Sequence, residues 1–350
     1  MNRMVNIIGI LLLLTFSIGV SGQNPYIERF VPPSPTASSL GQYGEVPVSL
    51  YTGVANVQVP LYTLQERGLS VPINLSYHAS GIKVDQMPSW VGLGWALNAG
   101  GTITRTIMGL PDEDANGYTA HADRIIDYLN GVPDTNMSVK DEDVAWWTAT
   151  GIWDSEPDIY YYNIGGMSGK MVFDKTGTPR MIPHANLSIT GSVTTGFTVK
   201  SPDGTTYVFG ASESTTTSTT GDDPNYTSGN TAFNLTSITG VNGSNINFTY
   251  ERDILDYSID RSQTKRHNMP GFTEAECAES GSIIHNDILY TVSAGRVSKI
   301  ETDLIVVKFI ENSISNSFGM KYLDRIEVYN KNNLSVPIRE YDLTISNFGT

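Results

Sequence analysis

The sequence predicts a mainly β protein, with antiparallel hairpins forming sandwich- or shell-like sheets and a short helical insertion. Three observations carry this expectation. From residue 71 to 78, Val71, Ile73, Leu75 and Tyr77 alternate with Pro72, Asn74, Ser76 and His78, the period of a strand with one buried face. Turn signals recur between alternating runs, at Lys175-Thr-Gly177, Pro202-Asp-Gly204, Asn242-Gly243 and Asn332-Asn333, as hairpins require. One stretch, Ala122 to Leu129, instead has helical spacing, with Ile125, Ile126 and Leu129 on one face and Asn130-Gly131 to end it.

Taken in order, residues 1–22 read as a secretory signal peptide. Arg3 precedes an apolar run from Val5 to Ile18, and small residues follow to Gly22. That run is too short for a membrane span, so the expected location is exported, extracellular or at the cell surface. Residues 23–40 form a Pro/Ser-rich linker. Residues 41–110 form an N-terminal β unit in which Pro60 and Pro72, lacking a donor N–H, call for edge positions or bulges. Residues 111–155 combine an acidic turn with the helical insertion, which Trp146, Trp147 and Trp153 are expected to seal against a sheet. Residues 156–250 are a β-hairpin region, interrupted from Ser212 to Thr231 by a Ser/Thr/Gly/Asp-rich stretch that reads as a long loop. Residues 251–290 are polar with weak periodicity and read as a second insertion. Residues 291–350 return to β patterning, which is expected to continue beyond the chain end.

Charge and cysteine content narrow the function. The 350 residues carry 36 acidic against 22 basic side chains, a net charge of −14. Such a surface repels nucleic acid and anionic lipid, so no nucleic-acid partner and, after signal cleavage, no membrane partner is expected. Cys277 is alone. The chain therefore has no internal disulfide, and its size must supply the core.

Within the β unit, Trp90-Val-Gly-Leu-Gly-Trp95 is followed by Ala96-Leu-Asn-Ala-Gly-Gly101. Gly92 and Gly94 permit close backbone approach between two indoles, and Asn98 with Gly100-Gly101 supplies a turn. The block reads as a packing element that pins one strand pair onto another, with Trp90 and Trp95 buried. As a phosphate loop it lacks the third glycine and a following helix. This block, followed in order by Val172-Phe-Asp174, Pro202-Asp-Gly-Thr-Thr-Tyr-Val-Phe-Gly210 and Asn245-Ile-Asn-Phe-Thr-Tyr-Glu251, resembles the N-terminal region of secreted bacterial RHS/YD-repeat proteins. Its Gly-Leu-Gly-Trp segment is similar to the opening of toxin-complex B and virulence-plasmid B-type proteins. The resemblance covers about residues 30 to 350 outside the insertions. It implies a β shell that encloses or displays a C-terminal effector, with the downstream repeats or effector region of the same polypeptide as partner. Tyr341-Asp342 and Tyr250-Glu251-Arg252 are incomplete matches to the YD repeat.

For a site, Asp112-Glu-Asp114-Ala-Asn116-Gly117 places oxygen ligands at alternate positions of a calcium loop, with the Tyr118 carbonyl and Asp123 completing the set. Against calcium stand Thr119 at an apolar position, Asp rather than Glu at the last ligand, and a preceding strand. The plainer reading is an acidic turn capping the helix near residue 122. The five histidines form no HExxH or close pair, and His267 with Glu274, Glu276, Cys277 and Glu279 reads as a solvated loop. Ser168 lies outside any GxSxG. The expected function is a non-catalytic exported scaffold, without cofactor. The alternatives are a surface adhesion or glycan-binding module, calcium-stabilised, and, more weakly, a carboxylate-based hydrolase.

Overall fold

The computed structural model describes residues 55–79, 81–82, 87–219, 226–265, 283–315 and 321–346. The chain divides into two units, Met1–Pro47 and Val48–Thr350, and every described residue lies in the second. The signal peptide, the linker, Cys277 and His267 lie outside the described residues.

In chain order the elements are β1 (Asn56–Glu66), β2 (Leu69–His78), β3 (Trp95–Asn98), β4 (Thr102–Thr106), α1 (Tyr118–Leu129), α2 (Asp141–Ala149), β5 (Ile159–Ile164), β6 (Met167–Phe173), β7 (Pro179–Ile182), β8 (Ser188–Ser192), β9 (Gly196–Lys200), β10 (Thr206–Thr219), β11 (Tyr226–Thr239), β12 (Asn245–Lys265), β13 (Ile283–Glu301), β14 (Ile305–Ser315), β15 (Lys321–Asn330) and β16 (Arg339–Asp342). The protein is mainly β, as the sequence predicts. No helix among the described residues is long and apolar enough to cross a membrane. Strands β1-β2-β3 form a small antiparallel sheet. The large sheet runs β16-β15-β14-β13-β10-β11-β4-β5-β6-β7, with β12 pairing β11 and β13, and β8 and β9 beside β10.

Local chemistry explains the hairpins. Arg67-Gly68 joins β1 to β2 with positive φ at both residues (42° and 97°), the conformation of the two-residue turn that matches strand twist. Pro60 sits at a register shift on the edge strand β1. Pro72 sits on β2 outside the stretch, Asn74 to Tyr77, where β3 pairs. Neither proline therefore breaks a ladder. The predicted turns at Lys175–Gly177, Pro202–Gly204 and Asn242-Gly243 each close a hairpin. In the second, Asp203 accepts from Thr205 N at 3.0 Å, fixing the turn.

The two sheets share one core. Leu64, Leu69, Val71 and Ile73 of the small sheet enter the same buried cluster as Ile103, Phe197, Phe209, Phe233, Ile300 and Phe309 of the large one. Each such side chain contributes about 1.5–3 kcal/mol on burial. The Trp/Gly block joins the layers. Trp90 O accepts Leu323 N of β15 at 2.8 Å, and its indole lies 6.3 Å from the Phe309 ring of β14. Trp95 pairs β2 and lies 5.1 Å from Tyr77. Both indoles are half-buried rather than buried, because each rests one side on the core while Trp90 also lines a cleft.

The stretch 212–231, expected as a loop, is strand at both described ends. Residues 212–218 of β10 pair with 226–233 of β11, and 220–225 lie outside the described residues. Threonine is a good strand former. Here Thr215 Oγ1 meets Thr231 Oγ1 at 2.8 Å and Thr216 Oγ1 meets Ser228 Oγ at 3.0 Å across the ladder. The polar region 251–290 supplies strand at its described ends, 251–265 in β12 and 283–290 in β13.

These segments form a four-stranded arm. Asn230, Ser214, Ser293 and Ile254 lie in one row across β11, β10, β13 and β12. No residue of 211–219, 226–232, 251–258 or 287–295 is buried. Neither face of this stretch is sealed, although Ile107 and Pro111 approach one face at Gly229.

Candidate functional site

The helical insertion is a long connection between the adjacent strands β4 and β5, where Arg105 pairs Tyr160. Its two ends meet at a buried ionic neck. Arg105 follows Ile103 on the inward phase of β4, so its guanidinium points into the protein and must find a counter-charge. It finds Asp158 at the return. Arg105 Nε donates to Asp158 Oδ2 at 2.8 Å, Nη2 donates to the same oxygen, and both side chains are 0% exposed. Glu113 receives the outer edge of the guanidinium at 2.5 and 3.0 Å, a bidentate geometry suited to arginine. The ring of Tyr160 lies 5.8 Å below.

Backbone bonds tie the ends reciprocally. Asp158 accepts Met108 N at 2.8 Å and Asp112 N at 3.1 Å. Asp158 N donates to the Asp112 carboxyl at 3.1 and 3.2 Å. Asp154 accepts Leu110 N at 3.2 Å, and its own N–H donates to Asn116 O at 2.9 Å. A side chain at Gly109 would meet the Asp154 carboxyl at 2.9 Å, and one at Gly117 would meet Pro111 O at 2.1 Å. Glycine is needed at both.

Burial, with the neighbouring Asp158, pushes the Asp112 carboxyl up to about 7. Burial also raises Asp154. For Arg105, burial works against the charge, but the Glu113 hydrogen bond, Tyr160 and Asp158 more than offset it, and its pKa stands above the ordinary value. The arrangement can hold a proton at Asp112 near neutral pH and rivet the insertion to the sheet.

Of the predicted calcium ligands, Asp112 turns inward to Asp158, while Asp114 and Asn116 are exposed. Tyr118 begins α1, so its carbonyl enters the helical hydrogen-bond ladder. Asp123 lies in the second turn and pairs Lys175 of the β6–β7 turn. The described residues contain no group of three or more His, Cys, Asp or Glu placed to hold a metal ion. The acidic turn does precede the helix, but its N-cap Gly117 makes no side-chain cap bond.

The tryptophans divide. Trp153 stacks on His121 at 3.8 Å and meets Trp147 at 4.6 Å, packing the insertion on itself, whereas Trp146 is 64% exposed. Sequence reasoning missed α2, whose Asp141-Glu-Asp143 start suits the positive end of a helix. It also missed Arg105–Asp158. The available signal was an arginine on the apolar phase of a strand.

A cleft of about 910 Å³ lies between the sheets, lined by Trp90, Asn98, Tyr207, Glu213, Asp253 and Arg296 among others. Several of its polar groups are paired within the protein. Asn98 donates to Asn74 at 2.8 Å, Asn234 to Glu213 at 2.7 Å, and Arg296 to Asp253 at 2.5 Å.

Neither a family model nor a curated protein matches this sequence. Among solved structures it is similar to a chain of the TcdB2-TccC3 crystal structure, with 11% identity and a TM-score of 0.38 over 82% of this chain and 14% of that one. It is also similar to the Photorhabdus luminescens Tc holotoxin pore, with 11% identity and a TM-score of 0.36 over 81% and 13% of the two chains. A third likeness is to the N-terminal domain of effector protein SpvB from Salmonella typhimurium, with 11% identity and a TM-score of 0.33 over 78% and 87%. This chain spans about a seventh of the length of the two toxin-complex chains.

Proposed function

We propose that the chain is an exported, non-catalytic β scaffold, the N-terminal portion of an RHS/YD-repeat-type shell that encloses or displays a C-terminal effector of the same polypeptide. One observation carries the reading: the described stretch of the four-stranded arm of β10 to β13 has no buried residue on either face. A sheet normally buries at least one face against a second layer. A hollow shell needs the opposite, a wall one sheet thick with solvent outside and a lumen inside. The Ser/Thr chemistry of the arm suits two wet faces. The Trp/Gly block supports the reading by anchoring the wall to a solid two-layer base, and the leader supports export. The test is the reading frame downstream of codon 350. Tandem YD repeats followed by a variable tail are expected, and an immediate stop codon, or an unrelated enzyme domain, overturns the proposal.

A second reading, a glycan-binding surface module, draws on the exposed Trp146. Saturable heat on titration with oligosaccharides, lost in Trp146→Ala, would favour it over the shell.

A further inference from the structure

We propose that Asn130, at the C-terminal end of α1, is a site of spontaneous deamidation, an irreversible modification that alters the helical insertion as the protein ages. The sequence holds three Asn-Gly steps, Asn116-Gly117, Asn130-Gly131 and Asn242-Gly243. In each, the missing side chain of glycine leaves the following backbone nitrogen unshielded. The reaction begins when that nitrogen loses its proton to water and attacks the asparagine Cγ. The bond from Cγ to the side-chain nitrogen breaks and ammonia leaves. Water then opens the cyclic imide at either carbonyl, giving aspartate or isoaspartate. The step therefore needs a side-chain carbonyl free to turn back over its own backbone, and room for the ring.

Of the three steps, Asn130-Gly131 alone has both. Asn242 is locked in its turn: its amide donates to Arg67 O at 2.7 Å, and its carbonyl accepts Ser244 N at 3.1 Å and Ser244 Oγ at 2.7 Å. Asn116 is exposed, but Gly117 is buried, and an atom added to it would lie 2.1 Å from Pro111 O. Asn116 O is also held by Asp154 N at 2.9 Å. Asn130 is exposed, and its side chain has no hydrogen-bond partner among the described residues. Gly131 has φ +66°, with no atom within 4 Å of the position its Cβ would take. Backbone bonds hold this step: Asn130 N to Ile126 O at 2.9 Å, Gly131 N to Tyr128 O at 3.0 Å and Val132 N to Asp127 O at 2.9 Å. Bonds at a helix end are the first to open when a helix frays. The product bears on α1 directly. A carboxylate at position 130 opposes the negative end of the helix and stands on the same face as Asp127, and the last turn has no basic residue to answer it. Isoaspartate also lengthens the backbone and spoils the register of the closing bonds. The last turn of α1 therefore loosens, at the end away from the ionic neck.

The site stands apart from the shell reading, which the downstream reading frame tests separately. Peptide mapping by mass spectrometry of the full chain held at pH 8 tests it, scoring each Asn-Gly peptide for exchange of an amide for a carboxyl and for isoaspartate. In the folded chain the Asn130 peptide is expected to convert at least about tenfold faster than the Asn116 and Asn242 peptides, because their retaining bonds must break first. In urea, where the fold protects none of them, the three rates are expected to converge. An Asn116 or Asn242 peptide that converts as fast as Asn130 in the folded chain overturns the proposal. So does an Asn130 peptide that converts in urea but not in the folded chain, or a preference for Asn130 that persists in urea and so owes nothing to the fold.

Discussion

Strands β9 and β10 run side by side through two kinds of surroundings. Along β9, Phe197 and Val199 are buried while Lys200 is exposed, and Phe209 of β10 is buried beside them. A few residues further along β10, from Ala211 to Thr219, every residue is half-exposed. The first region has a second layer over it, and the second has only partial cover, such as Ile107 and Pro111 beside Gly229. The two-layer region is held by removal of apolar surface from water. The arm is held by its hydrogen-bond ladder and by side-chain pairs across strands, such as Thr291 to Asp256 at 2.7 Å and the stacked Tyr257 and Tyr290 rings at 5.4 Å. A continuous ladder thus passes from a core into a wall, and substitutions in the two regions should differ in cost by an order of magnitude.

The largest effect is expected at Phe197, whose ring meets Phe233 at 4.8 Å and Tyr160 at 5.9 Å, both edge-on. Phe197→Ala should lower the stability of the folded unit by about 3–5 kcal/mol in urea unfolding, because the cavity lies between two layers that cannot close over it. A loss below about 1 kcal/mol would erase the distinction between the regions.

Next comes the ionic neck, where the two-layer side admits charge only when paired. The folded protein keeps the Asp112 proton up to about pH 7, whereas the unfolded chain releases it near 3.8. The stabilisation from that proton is complete below the lower value and is lost as pH rises to about 7. Asp112→Asn mimics the protonated form and can still accept the Asp158 N–H. Relative to wild type it should gain about 2 kcal/mol at pH 8, within a limit of about 4 set by the two pKa values, and gain nothing at pH 3. A difference that does not change with pH would remove Asp112 from this role.

Smaller again is Gly94→Ala in the Trp/Gly block. Gly94 has φ +76°, and an added Cβ would sit 2.9 Å from the Tyr77 ring. The backbone strain and the displaced ring should together cost about 1–3 kcal/mol by urea unfolding. Gly68→Ala offers a control, with positive φ but open space around its Cβ position. Equal losses at the two glycines would mean that close packing of the block onto β2 adds nothing.

The same contrast explains what the sequence reveals. Under two layers, each strand has a dry face and a wet face, so hydropathy alternates, and β2, β9 and the hairpin turns are legible. In the arm neither face is dry. Ser214-Thr-Thr-Thr-Ser-Thr219 then carries no period of two and reads as a loop, although its β-branched residues favour strand. The half-burial of Trp90 is hidden from the sequence because a cleft between the sheets opens beside it. Asp112 is legible as a notable acid, but its partner Asp158 lies 46 residues away and is reached only through the β4–β5 pairing. Local spacing therefore offers an acidic turn or a calcium loop, and it gives no sign of the Asp158 carboxyl and the arginine beside Asp112.

The smallest effect belongs to the arm, and it is the most discriminating. Thr216 lies between Ser228 and Thr291 in its row, and its hydroxyl meets Ser228 Oγ at 3.0 Å. With no second layer, Thr216→Ala opens no cavity. It loses one exposed hydrogen bond and one β-branched carbon, about 0.5 kcal/mol in urea unfolding with an unchanged denaturant slope. Thr216→Val keeps the branch and should be close to neutral. If the arm were covered in solution, the alanine variant would instead leave a void, and the valine variant would strand the Ser228 hydroxyl without water. Losses above about 2 kcal/mol for either would place a second layer on the arm. That result would dissolve the contrast between core and wall, and with it the observation on which the shell reading rests.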